Sequence, residues 1–532
     1  MHVGFVSDER YVAIPDVLCE FISSDGTSYE TRSRARGAIY IDIPEGAYNV
    51  TFYKEGYGSK SIEINLKDNE IQQFRLLSNN LCGYIWPKWT QSESFSEFRV
   101  HSTEPYKLEL WRYGFRKDFI RTIGWFDEHG PGATMQITPD GDYTQSGVKW
   151  NTKGYRNNPH HLQDIKAPEK SGLYYFHAIT ESQKFYSFPW IVAPKNPTCE
   201  IAVLASNINW NVYNNFGGRS NYIHSDKLPD KPCVNARLDL KRYIQPDFQG
   251  YDAEYYQPLS FDRPEHINVI PEGTEITDNI EGRSACAVAP AEWRLFGWLE
   301  REKFSYDLYA ETQFHSGLLN LRDYSILIIS THPEYWSTDM YYTLKKWVFD
   351  EGGKLLYLGG NGLNCEVEFL DEYTITVKNG SIGSRKIREM GIASRFAHRN
   401  ESEANLLGVV FTDPGIMTGA PYKVLDSSHW IFTNTNLKNG DIFGEKSLHM
   451  RCPGGASGHE TDKISNDSPK NLEHLAKGLN PNDGGADMVY FNTDSGGEVF
   501  STGSITYTCS LVVDDHISKI TSNVIKKLLK NK

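Results

Sequence analysis

At 532 residues the chain is long enough for several domains of about 150 residues each. Its net charge is −13 and its Lys and Arg residues form no dense block, which argues against a nucleic-acid or anionic-membrane partner. No apolar run reaches the about 18 residues that a membrane-spanning helix needs, and residues 1–20 lack the order of a signal peptide. The eight cysteines are scattered without a CxxC pair, which predicts free thiols. We therefore expect a cytoplasmic protein.

The first two hundred residues show short alternating runs separated by turn signals such as Asp-Gly and Glu-Gly. This pattern predicts a small β-sandwich over residues 1–78 and a second, Ig-like β-sandwich over residues 79–197. The predicted strands lie at residues 11–14, 17–22, 38–43, 48–53, 61–65, 106–111, 135–137, 173–178 and 188–192.

From residue 198 onward the hydrophobic period changes, and buried strands alternate with helices. Strands are predicted at residues 201–205, 306–309, 325–330 and 354–358, with helices at 292–302 and after the capping residue Ser337. This alternation is typical of a parallel sheet, so we expect residues 198–532 to form an α/β catalytic domain.

After residue 362 the sequence is β-rich again. Residues 469–477 suggest a short helix, residues 488–492 and 498–502 a closing hairpin, and residues 515–530 an amphipathic helix.

Two chemically rich loops follow strands of the predicted sheet. One covers residues 207–222 and contains a Gly pair, six Asn residues and two Tyr residues; the other is THPEYW at 331–336. Each could be an ordinary loop. Because all carboxyl ends of parallel strands emerge on one edge, however, Tyr213 and Glu334 can meet although they are far apart in sequence. Residues 254–264 and 454–462 are further candidate loops, each of which could also be a plain surface turn.

Two tyrosines and a glutamate form a set of hard oxygen ligands. A phenol has a pKa near 10 and becomes a phenolate at neutral pH only beside a strong Lewis acid. Ferric iron is the physiological cation that such ligands favour. An iron site of this kind would activate water or polarise a carbonyl, with His332 close enough to act as the general base.

Five short motifs follow one another along the chain: NVYNNFGG at 211–218, PLSFDRP at 258–264, HPEYW at 332–336, GHETD at 458–462 and VFSTGSI at 499–505. In this order and spacing they resemble the large (β) subunit of the N,N-dimethylformamidase family over about residues 80–530. The resemblance implies an α/β domain similar to class I glutamine amidotransferases, although the chain has no GxCxG nucleophile elbow.

The resemblance also implies a single ferric ion held by two tyrosines and one glutamate. Carried onto this chain, these ligands are Tyr213, Tyr256 and Glu334, with Tyr222 as the alternative to Tyr213 and Tyr255 as the alternative to Tyr256. The implied catalytic residues are His332 and Glu460.

Glu498 is the alternative to Glu460.

The known N,N-dimethylformamidase also pairs with a small subunit. We expect this chain to form a homo-oligomer as well.

The leading functional hypothesis is hydrolysis of a small amide of the formamide type, with release of an amine. His332 would take the proton of the attacking water and Glu460 would protonate the leaving amine. Asn207, Asn211 and Asn214 could bind the oxyanion of the substrate. Two alternatives remain: the same iron enzyme acting on another amide, and a carbohydrate- or ligand-binding protein without catalysis.

Overall fold

The structure is a computed structural model. It describes residues 1–126, 138–148, 163–234, 253–379, 382, 386–387, 390–392 and 394–530, except Asn69 and Ala287. The strand predicted at residues 135–137 lies outside this set.

The first part of the chain forms two sheets of three and four strands. Buried side chains from both sheets, among them Val6 and Phe52, belong to one core cluster. The three-stranded sheet contains Ala38–Tyr40, His2–Ser7 and Gln72–Arg75, and the four-stranded sheet contains Ser28–Arg32, Leu18–Ser23, Gly46–Tyr53 and Lys60–Leu66.

A second pair of sheets follows and encloses its own core, in which Phe98 and Trp190 are fully buried. The boundaries placed near residues 78 and 197 remain a prediction. The smaller sheet contains Asp164–Lys166, Phe95–His101 and Cys82–Trp86, and the larger contains Lys117–Phe126, Tyr106–Tyr113, Gly172–Thr180, Phe185–Ala193 and Trp89–Gln91.

The rest of the chain is organised on a nine-stranded mixed sheet. Five neighbouring strands pair in parallel, and four further strands extend the sheet by antiparallel pairing. In sheet order the strands are Asp307–Ala310, Ile201–Ala205, Ile326–Thr331, Lys354–Gly359, Glu498–Ser501, Asp487–Asn492, Glu473–Gly478, Tyr422–Val424 and Ile442–Phe443.

A smaller sheet lies beside the large one and contains the end of the THPEYW turn. Its strands are Leu259–Ser260, Thr374–Val377, Cys365–Asp371 and Tyr335–Trp336. Two two-stranded ribbons pair Val410–Phe411 with Asp462–Lys463 and Gly419–Ala420 with Ser457–Gly458.

The prediction of an α/β catalytic domain similar to class I glutamine amidotransferases was wrong. Strand accounts for 35% of the structure and helix for 18%, and most of the described strand pairings are antiparallel. The sequence alternates strands and helices before residue 362. Beyond that residue, hairpins supply the remaining strands of the sheet. Of the α-helices described between these parallel strands, Asn207–Tyr213 and Glu311–His315 have only seven and five residues. The α-helices described are Tyr143–Ser146, Asn207–Tyr213, Ala289–Arg301, Glu311–His315, Thr338–Asp350, Arg395–Arg399, Ala404–Leu407 and Asp515–Lys530.

Several local predictions are confirmed and one is wrong. The Ser337 hydroxyl accepts a hydrogen bond from the Met340 N–H at 3.3 Å, as expected for the residue that caps helix Thr338–Asp350. The final helix lies at Asp515–Lys530 as predicted. The helix predicted at residues 469–477 is instead a turn followed by strand Glu473–Gly478, because pairing with a neighbouring strand outweighs local helix propensity.

All eight cysteines are free thiols, which confirms that prediction. No helix in the described part of the chain combines the length and the apolarity that crossing a membrane requires.

A buried carboxyl group, Glu292, joins helix Ala289–Arg301 to the first parallel strand and the helix after it. It accepts hydrogen bonds from the Trp210 indole at 2.8 Å and from the Ser206 N–H at 3.1 Å. Burial raises the pKa of Glu292 to about 8, against the lowering effect of these two hydrogen bonds.

Because the folded state holds this proton to a higher pH than the unfolded state, we expect the free energy of unfolding to fall as pH rises from about 4.5 to about 8. Glu292→Gln, which is neutral at every pH, should make this decline shallower in urea titrations across that range. The exposed control Glu63→Gln should keep the wild-type slope. Equal slopes for wild type and Glu292→Gln would contradict the assignment.

Candidate active site

The site lies at the carboxyl edge of the parallel strands. Strand Ile201–Ala205 leads into helix Asn207–Tyr213, and strand Ile326–Thr331 leads into the THPEYW turn. Thr331 has a φ of 61°, so the chain turns sharply before His332. The two loops therefore meet at one edge, as the sequence predicted for Tyr213 and Glu334.

Three phenols and one carboxylate converge in this place. The Tyr222 hydroxyl lies 2.7 Å from the Tyr213 hydroxyl, 2.9 Å from Oε2 of Glu334 and 3.0 Å from the Tyr335 hydroxyl. The Tyr213 hydroxyl donates to the same Glu334 oxygen at 3.2 Å. Burial, reinforced by the negative charge of Glu334, raises the pKa of each phenol well above its usual value.

His332 adjoins this cluster through its Nε2 atom. Nε2 lies 3.1 Å from the Tyr213 hydroxyl, 3.1 Å from Glu334 and 3.6 Å from Glu460. Nδ1 donates to the carbonyl of Gly360 at 3.0 Å, which fixes the ring orientation. Burial disfavours the imidazolium, but the hydrogen bond and charge of Glu334, with the charge of Glu460, raise the pKa of His332 to about 9.

Glu460 completes the group beside Nε2 of His332. Its Oε2 accepts a hydrogen bond from the Asn361 amide at 2.7 Å. Burial raises the pKa of Glu460, while the nearby His332 acts in the opposite direction. A buried, hydrogen-bonded carboxyl next to an imidazole is suited to moving a proton.

The alternative residue Glu498 lies elsewhere. It begins its strand opposite Lys354, whereas the site lies beyond the other end of the Lys354 strand, near Gly360. Its carboxylate accepts a hydrogen bond from Tyr490 at 2.5 Å.

The two adjacent tyrosines of the third candidate loop differ in exposure. Tyr255 is 67% exposed, whereas Tyr256 is 7% exposed. The guanidinium of Arg395 lies 5.7 Å from the Tyr256 ring centroid, and the charge of Tyr256 contributes to the raised pKa of Tyr335. Tyr256 is thus buried beside the phenol cluster, and its role as a ligand remains a prediction.

The three asparagines predicted to bind substrate all hydrogen-bond within the protein, and their predicted role remains untested. In the described lining of the cavity the amides are those of Asn361 and Asn364. The amide of Asn207 donates to Thr312 at 3.0 Å, that of Asn211 to the Leu259 carbonyl at 3.3 Å and that of Asn214 to the Pro264 carbonyl at 2.8 Å.

Arg263 holds the loop that carries Tyr213 and Tyr222. Its guanidinium is completely buried and donates to one side-chain oxygen and to several backbone carbonyls. The acceptors are Oδ1 of Asn211 at 2.9 Å and the carbonyls of Asn211, Asn214, Phe216, Arg219 and Ser260 at 2.7–3.4 Å.

A cavity of about 650 Å³ opens onto the phenols, Glu334 and Glu460. Its lining also contains Arg283, Arg451 and His459, which the sequence reasoning did not single out. Arg283 lies outside the recognised motifs. His459, by contrast, directly precedes Glu460 in GHETD, so its position beside a candidate catalytic residue was a usable signal.

The donor set fits a hard cation. Among the described residues, no group of three or more His, Cys, Asp or Glu side chains is placed to hold a metal ion, so a metal here would depend on the phenols. Tyr213, Tyr222 and Tyr335 bring three phenol oxygens within 3.2 Å of Glu334 or of one another. Phenol and carboxylate oxygens are the ligands that ferric iron favours.

Residues 118–521 match the family described as "N,N-dimethylformamidase beta subunit-like, C-terminal". The chain belongs to this family. The match covers both loops of the site and the segment with Glu460, and it confirms the resemblance inferred from the motifs.

Two curated relatives carry the same description. The N,N-dimethylformamidase beta subunit of Paracoccus aminophilus is 25% identical over 514 residues, which cover 80% of this chain and 65% of the relative. The N,N-dimethylformamidase beta subunit of Alcaligenes sp is 24% identical over 510 residues, covering 80% of this chain and 64% of the relative. The match therefore spans about 65% of the length of these family members.

A solved structure also matches, at a TM-score too low to show a shared fold. The crystal structure of BcpA, the major pilin subunit of Bacillus cereus, is 11% identical with a TM-score of 0.15 and covers 39% of this chain and 73% of its own.

At Gly360 two segments of the site pack closely against each other. A Cβ atom there would lie 2.4 Å from the Glu460 carbonyl and 2.7 Å from the Ile505 nitrogen. We expect Gly360→Ala to displace Glu460 and to lower the free energy of unfolding by about 1–3 kcal/mol, measured by chemical denaturation.

Gly273→Ala is the matched control, because a Cβ at Gly273 has open space around it. If both variants unfold at the same denaturant concentration, the close packing at Gly360 does not constrain the site.

Proposed function

We propose that this protein is an iron-dependent amide hydrolase of the N,N-dimethylformamidase type. It cleaves the C–N bond of a small amide and releases an amine and a carboxylic acid. The observation that carries the proposal is the convergence of buried phenols, Glu334, His332 and Glu460 in a chain of this family.

Tyr213 and Glu334 are the proposed ligands on the two edge loops, with further phenols from Tyr222, Tyr256 or Tyr335. When bound, a ferric ion would act as a Lewis acid and offset the negative charge of Glu334 that raises the pKa of His332.

His332 is proposed as the general base. Because Nδ1 donates to the Gly360 carbonyl, Nε2 is the atom that can accept a proton from the attacking water. The water oxygen then bonds to the amide carbon. Glu460 lies within 3.6 Å of the same Nε2 and delivers a proton to the amide nitrogen as the C–N bond breaks. An amine leaves only when its nitrogen is protonated, so a proton donor such as Glu460 is required in addition to the general base His332.

Relatives named as beta subunits favour a partner. We propose that this chain works with a second, smaller polypeptide, and that the assembly contains more than one copy of the chain.

Iron content tests the metal part of the proposal. Protein purified from iron-supplemented medium should contain stoichiometric iron and show a visible phenolate-to-iron absorption band. Tyr213→Phe and Glu334→Gln should lose the band and most of the iron, because each removes a hard oxygen ligand. Phe variants of Tyr222, Tyr256 and Tyr335, measured in the same way, identify which other phenols bind the iron.

Tyr255→Phe is the matched control and should keep both signals, because this neighbouring side chain is exposed. Colourless, iron-free wild-type protein would rule out the iron site.

Kinetics test the catalytic residues. With iron retained, His332→Gln and Glu460→Gln should each lower kcat for amide cleavage about a hundredfold to ten-thousandfold, as expected for a lost general base or acid. Formate release from a panel of formamides is the measurement.

Glu498→Gln should retain activity, because Glu498 lies at the end of its strand that is farther from the site. Binding of small ligands by wild-type protein without cleavage of any amide would favour the alternative of a non-catalytic binding protein.

A further inference from the structure

The cavity above the site is larger than dimethylformamide requires. Its volume is about 650 Å³, within the range of about 300–1,000 Å³ typical of sites for drug-sized ligands. An amide with only a few non-hydrogen atoms would leave most of this space to water. The residues that line the rest of the cavity therefore indicate the chemistry of the rest of the substrate.

One wall of the cavity is apolar. Ile387 and Ile392 line it from one segment, and Phe411, Pro414 and Ile416 line it from another. Asp413 belongs to the second of these segments. Apolar lining of this kind fits an aliphatic or aromatic substituent.

The wall beside the phenols is cationic. The guanidinium of Arg283 lies 5.6 Å from the Tyr213 ring centroid and 5.2 Å from that of Tyr222. Arg451 donates a hydrogen bond to the Cys286 sulfur at 3.6 Å and lies near Tyr213. Within the described chain neither guanidinium forms an ion pair with a carboxylate.

The thiol between these two arginines does not neutralise them. Burial, against the opposing charge of Arg451, raises the pKa of Cys286 to about 11, so the thiol is uncharged at neutral pH. Two guanidinium groups that form no ion pair with a described carboxylate are suited to binding a carboxylate on the ligand.

His459 offers the substrate a further hydrogen-bonding group. It is 5% exposed and lines the cavity, and neither of its ring nitrogens has a hydrogen-bond partner among the described groups. Its φ of 65° is a strained backbone conformation, maintained next to Glu460. A neutral imidazole in this position can accept a hydrogen bond from the N–H of a secondary amide, which a dialkylated amide lacks.

From the apolar wall, the cationic wall and His459 we infer that the substrate is an N-acylated apolar amino acid: a secondary amide with a neighbouring carboxylate and an apolar side chain. The amide lies at Glu334 and His332, the carboxylate at Arg283 and Arg451, and the side chain along the wall formed by Ile387 and Phe411. This inference rests on the proposed function and names its substrate class.

The test compares matched formamides on iron-loaded wild-type protein, with formate release as the common readout. N-formylleucine should show a kcat/KM at least about tenfold above that of N-formylleucinamide and of N,N-dimethylformamide, since one charge-assisted hydrogen bond corresponds to about that factor. Equal or lower kcat/KM for N-formylleucine would overturn the inference while leaving the proposed amidase intact.

Arg451→Met tests whether Arg451 binds the substrate carboxylate or supports the site in general. It should raise KM for N-formylleucine about tenfold or more and change the values for N-formylleucinamide far less, with Arg451→Lys partly restoring the difference. An equal loss on both substrates would show that Arg451 supports the reacting groups, not the substrate carboxylate, and would overturn the inference. Arg36→Met, at an exposed position, is the matched control.

Binding provides a readout that does not depend on turnover. Isocaproate, but not isocaproamide, should raise the melting temperature of wild-type protein, and Arg451→Met should abolish the shift. If this pattern holds while no amide is cleaved, the cavity assignment stands and the proposed hydrolase fails. If isocaproate has no effect and no carboxylate preference is seen, the cavity assignment fails.

Discussion

The buried guanidinium of Arg263 is the interaction on which the site depends most. It donates hydrogen bonds to the backbone carbonyls of Asn214, Phe216 and Arg219 in the loop between Tyr213 and Tyr222. Each buried carbonyl left unsatisfied costs about 1–3 kcal/mol, so the loop keeps its path only with this cation in place. Both tyrosines are thereby directed towards Glu334, although the loop itself has little regular structure.

The reacting groups and the walls of the cavity have different origins. Tyr213, His332 and Glu334 are placed by the ends of strands, so their positions follow from the sheet. Arg451 and much of the apolar wall come from connecting segments, whereas Arg283 lies in a short 3-10 helix and Phe411 in a two-residue strand. Loops vary more readily than the elements they connect, so chemistry and substrate selection can change independently in such an arrangement.

The meeting of Tyr213, His332 and Glu334 could be predicted because carboxyl ends of parallel strands share an edge, and this local reasoning needs only two strands. The fold class could not be predicted in the same way. The α/β assignment extended the pattern before residue 362 to a region where antiparallel hairpins complete the sheet. The contact of Tyr222 with Glu334 and the exposure of Tyr255 depend on tertiary packing, which a single sequence does not reveal.

The placement of Gly360 also bears on how the protein folds. Gly360 is held by the His332 ring and approaches the backbone of Glu460 and Ile505, segments well separated along the chain. Contacts of such long sequence range form slowly, because loop-closure entropy is lost before the contacts contribute stability. We therefore expect the segments of His332, Gly360 and Glu460 to come together late in folding.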